Sequence, residues 1–121
     1  QRYAACLQGT ALLERLALDV LDAPTQERGE SVFSTGTPSK SDIWMQLRAD
    51  ICQKTYLRPV YPESCFGSAL LGAKSLMGNL TDTIRLMVHI DRTFEPRRET
   101  AHFYEELYER FVDELKTRGY L

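Results

Sequence analysis

The stretch VFSTGTPSKSD, residues 32–42, decides the fold of this chain. Its first residues favour a β-strand, Gly36 permits a tight turn, and Ser39 or Ser41 can cap a following helix. A strand, a turn and a helix entry in this order present backbone N–H groups at the positive end of a helix dipole. The stretch therefore predicts a junction that can hold an anion, and the alternative is that the glycine serves the turn alone.

The spacing of apolar residues around this junction predicts a helix-rich α/β chain. The predicted helices cover residues 3–22, 39–53, 62–77, 81–88 and 100–117, and the predicted strands cover 31–35 and 54–58. Residues 23–30 are predicted to form a polar surface loop. Two short strands are too few for an independent sheet, so the order α-β-α-β-α-α-α indicates a partial domain.

Composition limits the chain to one domain and excludes several classes of partner. The 121 residues are 43% hydrophobic, which is too apolar for intrinsic disorder and enough for a buried core. A net charge of −2 argues against binding to nucleic acid or to an anionic membrane. No apolar run approaches the ~18–20 residues of a membrane span, so we expect a cytoplasmic protein.

The cysteines and histidines give no sign of a metal site. Three cysteines, Cys6, Cys52 and Cys65, fit neither a disulfide framework nor a zinc knuckle, and we predict that all three are small core residues. His89 and His102 have no second ligand at metal-binding spacing. The common catalytic motifs are also missing, so we predict no catalytic residue and no metal ligand in this chain.

Six segments resemble, in order and spacing, the C-terminal domain of the FGGY carbohydrate kinases. They are AACLQG (4–9), STGTPSKS (34–41), WMQLRAD (44–50), TYLRP (55–59), Glu63 and GSALL (67–71). The resemblance covers about residues 3–80, and the last helix is similar to the C-terminal helix of that family. It implies a partial ribonuclease-H-like, actin-like ATPase domain. Residues 1–121 would be the C-terminal part of the family's nucleotide-side domain, with the N-terminal domain absent.

The resemblance also implies a nucleotide site. The amides of Gly36 and Thr37 would face the α-phosphate of ATP, and Ser41 together with Asp42 would lie beside the adenine. Ser41 has an equally good alternative role as a helix cap. Trp44 is predicted to belong to the core rather than to stack on adenine. In such kinases the base, the sugar pocket, the Mg²⁺ ligands and the other phosphate loops lie in parts of the protein that precede these segments.

The activity implied is transfer of the γ-phosphoryl group of ATP to a hydroxyl of a sugar or polyol, with a pentulose such as xylulose or ribulose as the expected substrate. The chain alone is expected to be inactive, and it should either self-associate through surface that the missing part would cover or be only marginally stable. Thr37 replaces a glycine usual in the family, which leaves open a non-catalytic interaction domain that has lost nucleotide binding. The amphipathic last helix leaves open a free-standing helical adaptor.

Overall fold

Five helices and three strands make up the computed structural model, which describes residues 2–24 and 29–121. In chain order they are α1 (Arg2–Asp22), β1 (Ser31–Phe33), α2 (Asp42–Cys52), β2 (Thr55–Pro59), α3 (Ser64–Met77), α4 (Leu80–Met87), β3 (Ile90–Phe94) and α5 (Arg98–Thr117). A 3₁₀ turn, Thr37–Lys40, precedes α2. The expected helix-rich α/β architecture is therefore confirmed, while residues 25–28 of the predicted loop lie outside the described residues.

The sheet has three strands rather than the two that we predicted. β2 is central: it pairs in parallel with β1, where Val32 lies opposite Tyr56, and antiparallel with β3, where Leu57 lies opposite Thr93. Residues 90–94 form an edge strand in which Phe94 alone is buried. Because that strand lacks an alternating apolar pattern, the pattern analysis did not predict it.

Helix α2 contributes to both hydrophobic clusters of the core. The cluster against the sheet contains Met45, Ala49, Cys52, Tyr56 and Phe94. The second cluster lies where α1, α2 and α5 meet, and it contains Ala11, Leu12, Ile51 and Tyr104. Since α2 presents one face to each cluster, its position against α1 determines how the whole chain packs.

A largely buried ion pair joins α1 to α2. The Arg48 side chain, 14% exposed, donates from Nε to Glu14 Oε2 at 2.7 Å and from Nη2 to Glu14 Oε1 at 2.5 Å. The hydroxyl of Tyr56 donates to the same Oε1 at 2.9 Å. Burial alone would lower the pKa of Arg48, but the hydrogen bonds to Glu14 outweigh it and raise that pKa above its ordinary value.

A second ion pair joins α2 to the start of α5. The Asp50 carboxylate is fully buried and accepts from the Arg97 backbone N–H at 2.9 Å and from Arg97 Nη2 at 2.6 Å. Gln46 donates to Asp50 Oδ1 at 3.0 Å and to the Glu95 carbonyl at 2.8 Å. These residues of the WMQLRAD segment therefore serve packing and loop attachment rather than chemistry.

Two of the three cysteines are not core residues. Cys52 is buried, as predicted, but Cys6 and Cys65 are exposed. Both lie near the first turn of a helix, α1 for Cys6 and α3 for Cys65, where the described residues provide few neighbours. The prediction of three core cysteines is therefore wrong for Cys6 and Cys65.

The α3–α4 hairpin exposes much apolar surface. The two helices pack on each other, yet α3 has no buried residue, and Leu71, Leu76 and Leu86 are all more than half exposed. Helix α4 also starts one residue earlier than the predicted residue 81. Asn79 Oδ1 accepts from the Asp82 N–H at 2.8 Å, so the helix starts at Leu80.

Thiol reactivity distinguishes the three cysteines. At pH 8 and without denaturant, we expect an aromatic disulfide reagent to modify two thiols rapidly and the third slowly. Cys52 is 1% exposed, and burial raises the pKa of its thiol to about 11, so little reactive thiolate forms. Peptide mapping should find Cys6 and Cys65 labelled. Rapid labelling of Cys52 would contradict the described packing of α2.

Self-association is expected through the exposed face of the α3–α4 hairpin. The 121-residue chain should form dimers or larger species that dissociate on dilution, because exposed leucines are removed from water in the contact. Leu71→Lys with Leu76→Lys should shift sedimentation toward monomer, whereas Leu121→Lys, which changes a leucine outside the hairpin, should not. A wild-type chain that stays monomeric at high concentration would contradict this expectation.

Candidate functional site

The turn after β1 is fixed by hydrogen bonds of Gly36. Its φ of 86° lies in the left-handed region that favours glycine, and a Cβ there would meet only Pro38 Cδ, at 3.8 Å. The Gly36 N–H donates to the Pro62 carbonyl at 2.5 Å, and its own carbonyl accepts from Ser39 Oγ at 2.6 Å. The positive φ therefore favours glycine at position 36, and the Gly36 N–H is already hydrogen-bonded within the chain.

Thr37 and Ser41 mark the two ends of the 3₁₀ turn. Thr37 is exposed, and the described residues offer its backbone N–H no acceptor. Ser41 is the N-cap of α2, where its Oγ accepts from the Trp44 N–H at 3.4 Å. This bond uses a lone pair of Ser41 and leaves its hydroxyl proton available to a ligand.

A cleft of about 660 Å³ opens between the first half of α1 and this junction. Its lining is mostly apolar with several hydroxyl groups: Tyr3, Leu7, Thr10, Thr37, Pro38, Ser41, Ile43 and Trp44. The volume lies within the range of small-molecule sites, roughly 300–1,000 Å³. The structure thus brings two predicted site residues, Thr37 and Ser41, into one cavity with residues of α1 that sequence reasoning missed.

Asp42 is directed away from this cleft. Its carboxylate accepts from Arg58 Nη1 at 2.7 Å and also from Arg92 Nη1. Arg58 in turn pairs with Asp91 at 2.7 Å. Of the four predicted site residues, Gly36 and Asp42 do not line the cleft. The visible role of Asp42 is to attach the start of α2 to β2 and β3.

The Trp44 side chain belongs both to the core and to the lining of the cleft. Its half-buried ring packs with Leu47 against the cluster of Ala11, Leu12, Ile51 and Tyr104, as predicted for a core residue. The ring also lines the cleft, and the Arg48 guanidinium lies 5.7 Å from the ring centroid. Part of the Trp44 side chain therefore borders the cleft.

No metal site accompanies the cleft in the part of the chain that the structure describes. Over residues 2–24 and 29–121, no three His, Cys, Asp or Glu side chains are placed to hold a metal ion. Across the same residues, none of the helices combines the length and apolar character needed to cross a membrane.

The parallel β1–β2 pair and the crossover helix α2 form a β-α-β unit with a cleft at the N-terminus of its helix. Residues 1–76 match the FGGY family of carbohydrate kinases, C-terminal domain. The chain belongs to this family, and the resemblance described above is confirmed.

The similar proteins are sugar kinases much longer than this chain. Xylulose kinase from Staphylococcus epidermidis is 32% identical over 81 residues, which cover 64% of this chain and 16% of that protein. The probable L-xylulose kinase of Haemophilus influenzae is 32% identical over 109 residues, covering 86% of this chain and 21% of that protein. The chain thus spans only about a sixth to a fifth of these relatives.

Solved structures support the fold. The structure of xylulose kinase from Rhodospirillum rubrum superposes with a TM-score of 0.72 over 92% of this chain and 23% of that chain, at 23% sequence identity. The expected fold class, part of an actin-like ATPase domain, is confirmed by this likeness.

Proposed function

We propose that the chain is the nucleotide-side part of an ATP-dependent carbohydrate kinase, and that the cleft between α1 and α2 receives the adenosine part of ATP. The observation that carries this proposal is the meeting of Thr37 and Ser41 with the Trp44 ring in one cavity beside the strand-turn-helix junction. Membership of a kinase family supports the choice of ligand.

We assign a role in this proposal to each group that lines the cleft. Leu7, Ile43 and Trp44 provide the apolar walls for the adenine ring, and the Ser41 hydroxyl donates to a ring nitrogen. The Thr37 amide is directed toward the phosphates. Gly36 shapes the turn instead of binding phosphate through its own amide, because that amide already donates to Pro62.

The residues present fit the nucleoside of ATP and not its metal. Asp42, the carboxylate predicted beside the nucleotide, is paired with Arg58 and Arg92, so the Mg²⁺ ligands are expected outside this chain. When bound, ATP supplies the γ-phosphoryl group that is transferred to a sugar hydroxyl. A pentulose such as xylulose or ribulose is the proposed acceptor, in line with the names of the relatives. The chain alone is expected to show no turnover.

The alternative is an interaction domain that has kept the fold and lost nucleotide binding. It was suggested by Thr37, which stands where the family usually has glycine. Gln53 is the only non-glycine residue with a positive φ among the described residues, so the backbone at position 37 does not require glycine. Threonine is therefore compatible with the turn, which favours the kinase. Membership of the FGGY family argues against the other alternative, a free-standing helical adaptor.

Ile43→Glu tests the position of the nucleotide. In the complete protein that carries this chain, the substitution should weaken ATP binding by about tenfold or more, because a charged carboxylate would replace part of the apolar wall for the adenine ring. Ile43 is 81% exposed, so thermal unfolding should change little. Isothermal titration calorimetry with ATP measures the effect.

Leu71→Glu is the matched control, since it places the same charge at an exposed leucine outside the cleft and should leave ATP binding unchanged.

A coupled assay with D-xylulose, L-xylulose, D-ribulose and glycerol should show phosphorylation of at least one of them. Failure of the wild-type protein both to bind ATP and to phosphorylate any of them would favour the interaction domain. Normal ATP binding by Ile43→Glu would place the nucleotide elsewhere.

A further inference from the structure

Arg48 does not line the cleft, but it contacts both helices that form its walls, α1 and α2, and the segment that leads from β1 to the Gly36 turn. It reaches α1 through two hydrogen bonds to Glu14, at 2.5 and 2.7 Å. Its Nη1 donates to Ser34 Oγ at 2.5 Å, at the end of β1. Within α2, its guanidinium lies 5.7 Å from the centroid of the Trp44 ring.

Arg48, Glu14 and Ser34 each lie within a few residues, along the sequence, of the cleft lining or of the Gly36 turn. Glu14 follows Thr10 by one turn of α1, Arg48 follows Trp44 by one turn of α2, and Ser34 precedes the Gly36 turn by two residues. A planar guanidinium that binds a carboxylate through two parallel bonds fixes both distance and orientation. The Arg48 contacts therefore join α1 to α2 one turn from the lining residues and hold the Ser34 side chain just before the turn that the Gly36 bonds close.

The surroundings of Arg48 make this geometry rigid. Ser34 is 4% exposed and Tyr56 is fully buried, and the Arg48 guanidinium stacks over the Tyr56 ring at 4.6 Å. Burial raises the pKa of the Tyr56 hydroxyl, so it stays protonated and donates to Glu14. A lysine at position 48 keeps the charge but lacks the planar fork that holds Glu14 and Ser34 together.

We propose that Arg48 is a positioning residue for ATP: it sets the width of the cleft between α1 and α2 and the position of the Gly36 turn, and through them the affinity for the nucleotide. The proposal rests on the proposed function of the cleft. Arg48 touches no part of the ligand in this account, and its effect passes through Glu14, Ser34 and Trp44.

Arg15 offers a matched control for the same chemistry. It is 5% exposed, extends from α1, pairs with Glu105 of α5 at 2.6 Å and lies over the Tyr108 ring at 4.0 Å. Like Arg48 it is a buried arginine with a carboxylate partner and a tyrosine ring. Unlike Arg48, it pairs with a carboxylate of α5, and it bonds α2 only at the Ile51 carbonyl, at 3.2 Å, near the end of α2 that lies opposite the cleft.

The test compares Arg48→Lys with Arg15→Lys in the complete protein that carries the chain. Both should lower the midpoint of thermal unfolding, because each breaks a buried pair. Arg48→Lys should raise the Kd for ATP roughly 3- to 30-fold, whereas Arg15→Lys should leave it unchanged. Ser34→Ala removes the tether of the turn while keeping the Glu14 pair, and it should raise the Kd for ATP with a smaller loss of stability.

A second readout does not need the ligand. It is measured on the 121-residue chain, where Trp44 is the one tryptophan and its emission reports on the cleft. Arg48→Lys should shift that emission to longer wavelength as the ring becomes more exposed. Arg15→Lys should not shift it.

The outcomes separate this inference from the proposed function. Equal weakening of ATP binding by Arg48→Lys and Arg15→Lys would show a merely structural role and overturn the inference. Normal ATP binding by both Arg48→Lys and Ser34→Ala would also overturn it. If Arg48→Lys fails to fold, the ATP binding of Ser34→Ala alone tests the inference. If the wild-type protein binds no ATP, the proposed function fails, and the role of Arg48 in binding fails with it, whereas the Trp44 emission still shows whether Arg48 sets the cleft.

Discussion

The contact between Arg48 and Glu14 is the interaction on which the rest of the structure depends. It places α1 against α2, and α2 supplies residues to both hydrophobic clusters. Removing one partner of a buried pair costs about 3–5 kcal/mol, because the remaining charge loses its compensation. That is a large part of the roughly 5–15 kcal/mol by which a domain is stable. The same pair lies one helical turn from Thr10 and Trp44, so one interaction stabilises the fold and borders the candidate site.

Local patterns allowed most helices to be predicted from the sequence. α5 was found because its apolar residues recur at helical spacing, and Ser41 was recognised as one of two candidate caps for α2. β3 was missed because an edge strand takes its hydrogen bonds from β2, a partner far away in the sequence, and needs few apolar residues of its own. The exposure of Cys6 and Cys65 also depends on which elements lie nearby, and composition does not contain that information.

The residues of the candidate site also fall into two groups, those that could be predicted from the sequence and those that could not. Thr37 and Ser41 could be predicted because they belong to one continuous segment that resembles a family motif. The wall formed by Leu7 and Thr10 could not, since it exists only when α1 packs on α2. Asp42 was assigned to the site by its position next to Ser41, but successive helical residues differ by about 100° around the axis. Its carboxylate therefore meets Arg58 and Arg92 instead.

The most direct test of this account is the coupling energy between Glu14 and Arg48 in a double-mutant cycle. Glu14→Gln, Arg48→Met and the double variant of the 121-residue chain would be unfolded in urea, with the exposed Glu114–Arg118 pair as the reference cycle. The account predicts a coupling of about 1–3 kcal/mol for Glu14 and Arg48. A coupling below about 0.5 kcal/mol, the value typical of an exposed helical pair, would contradict it.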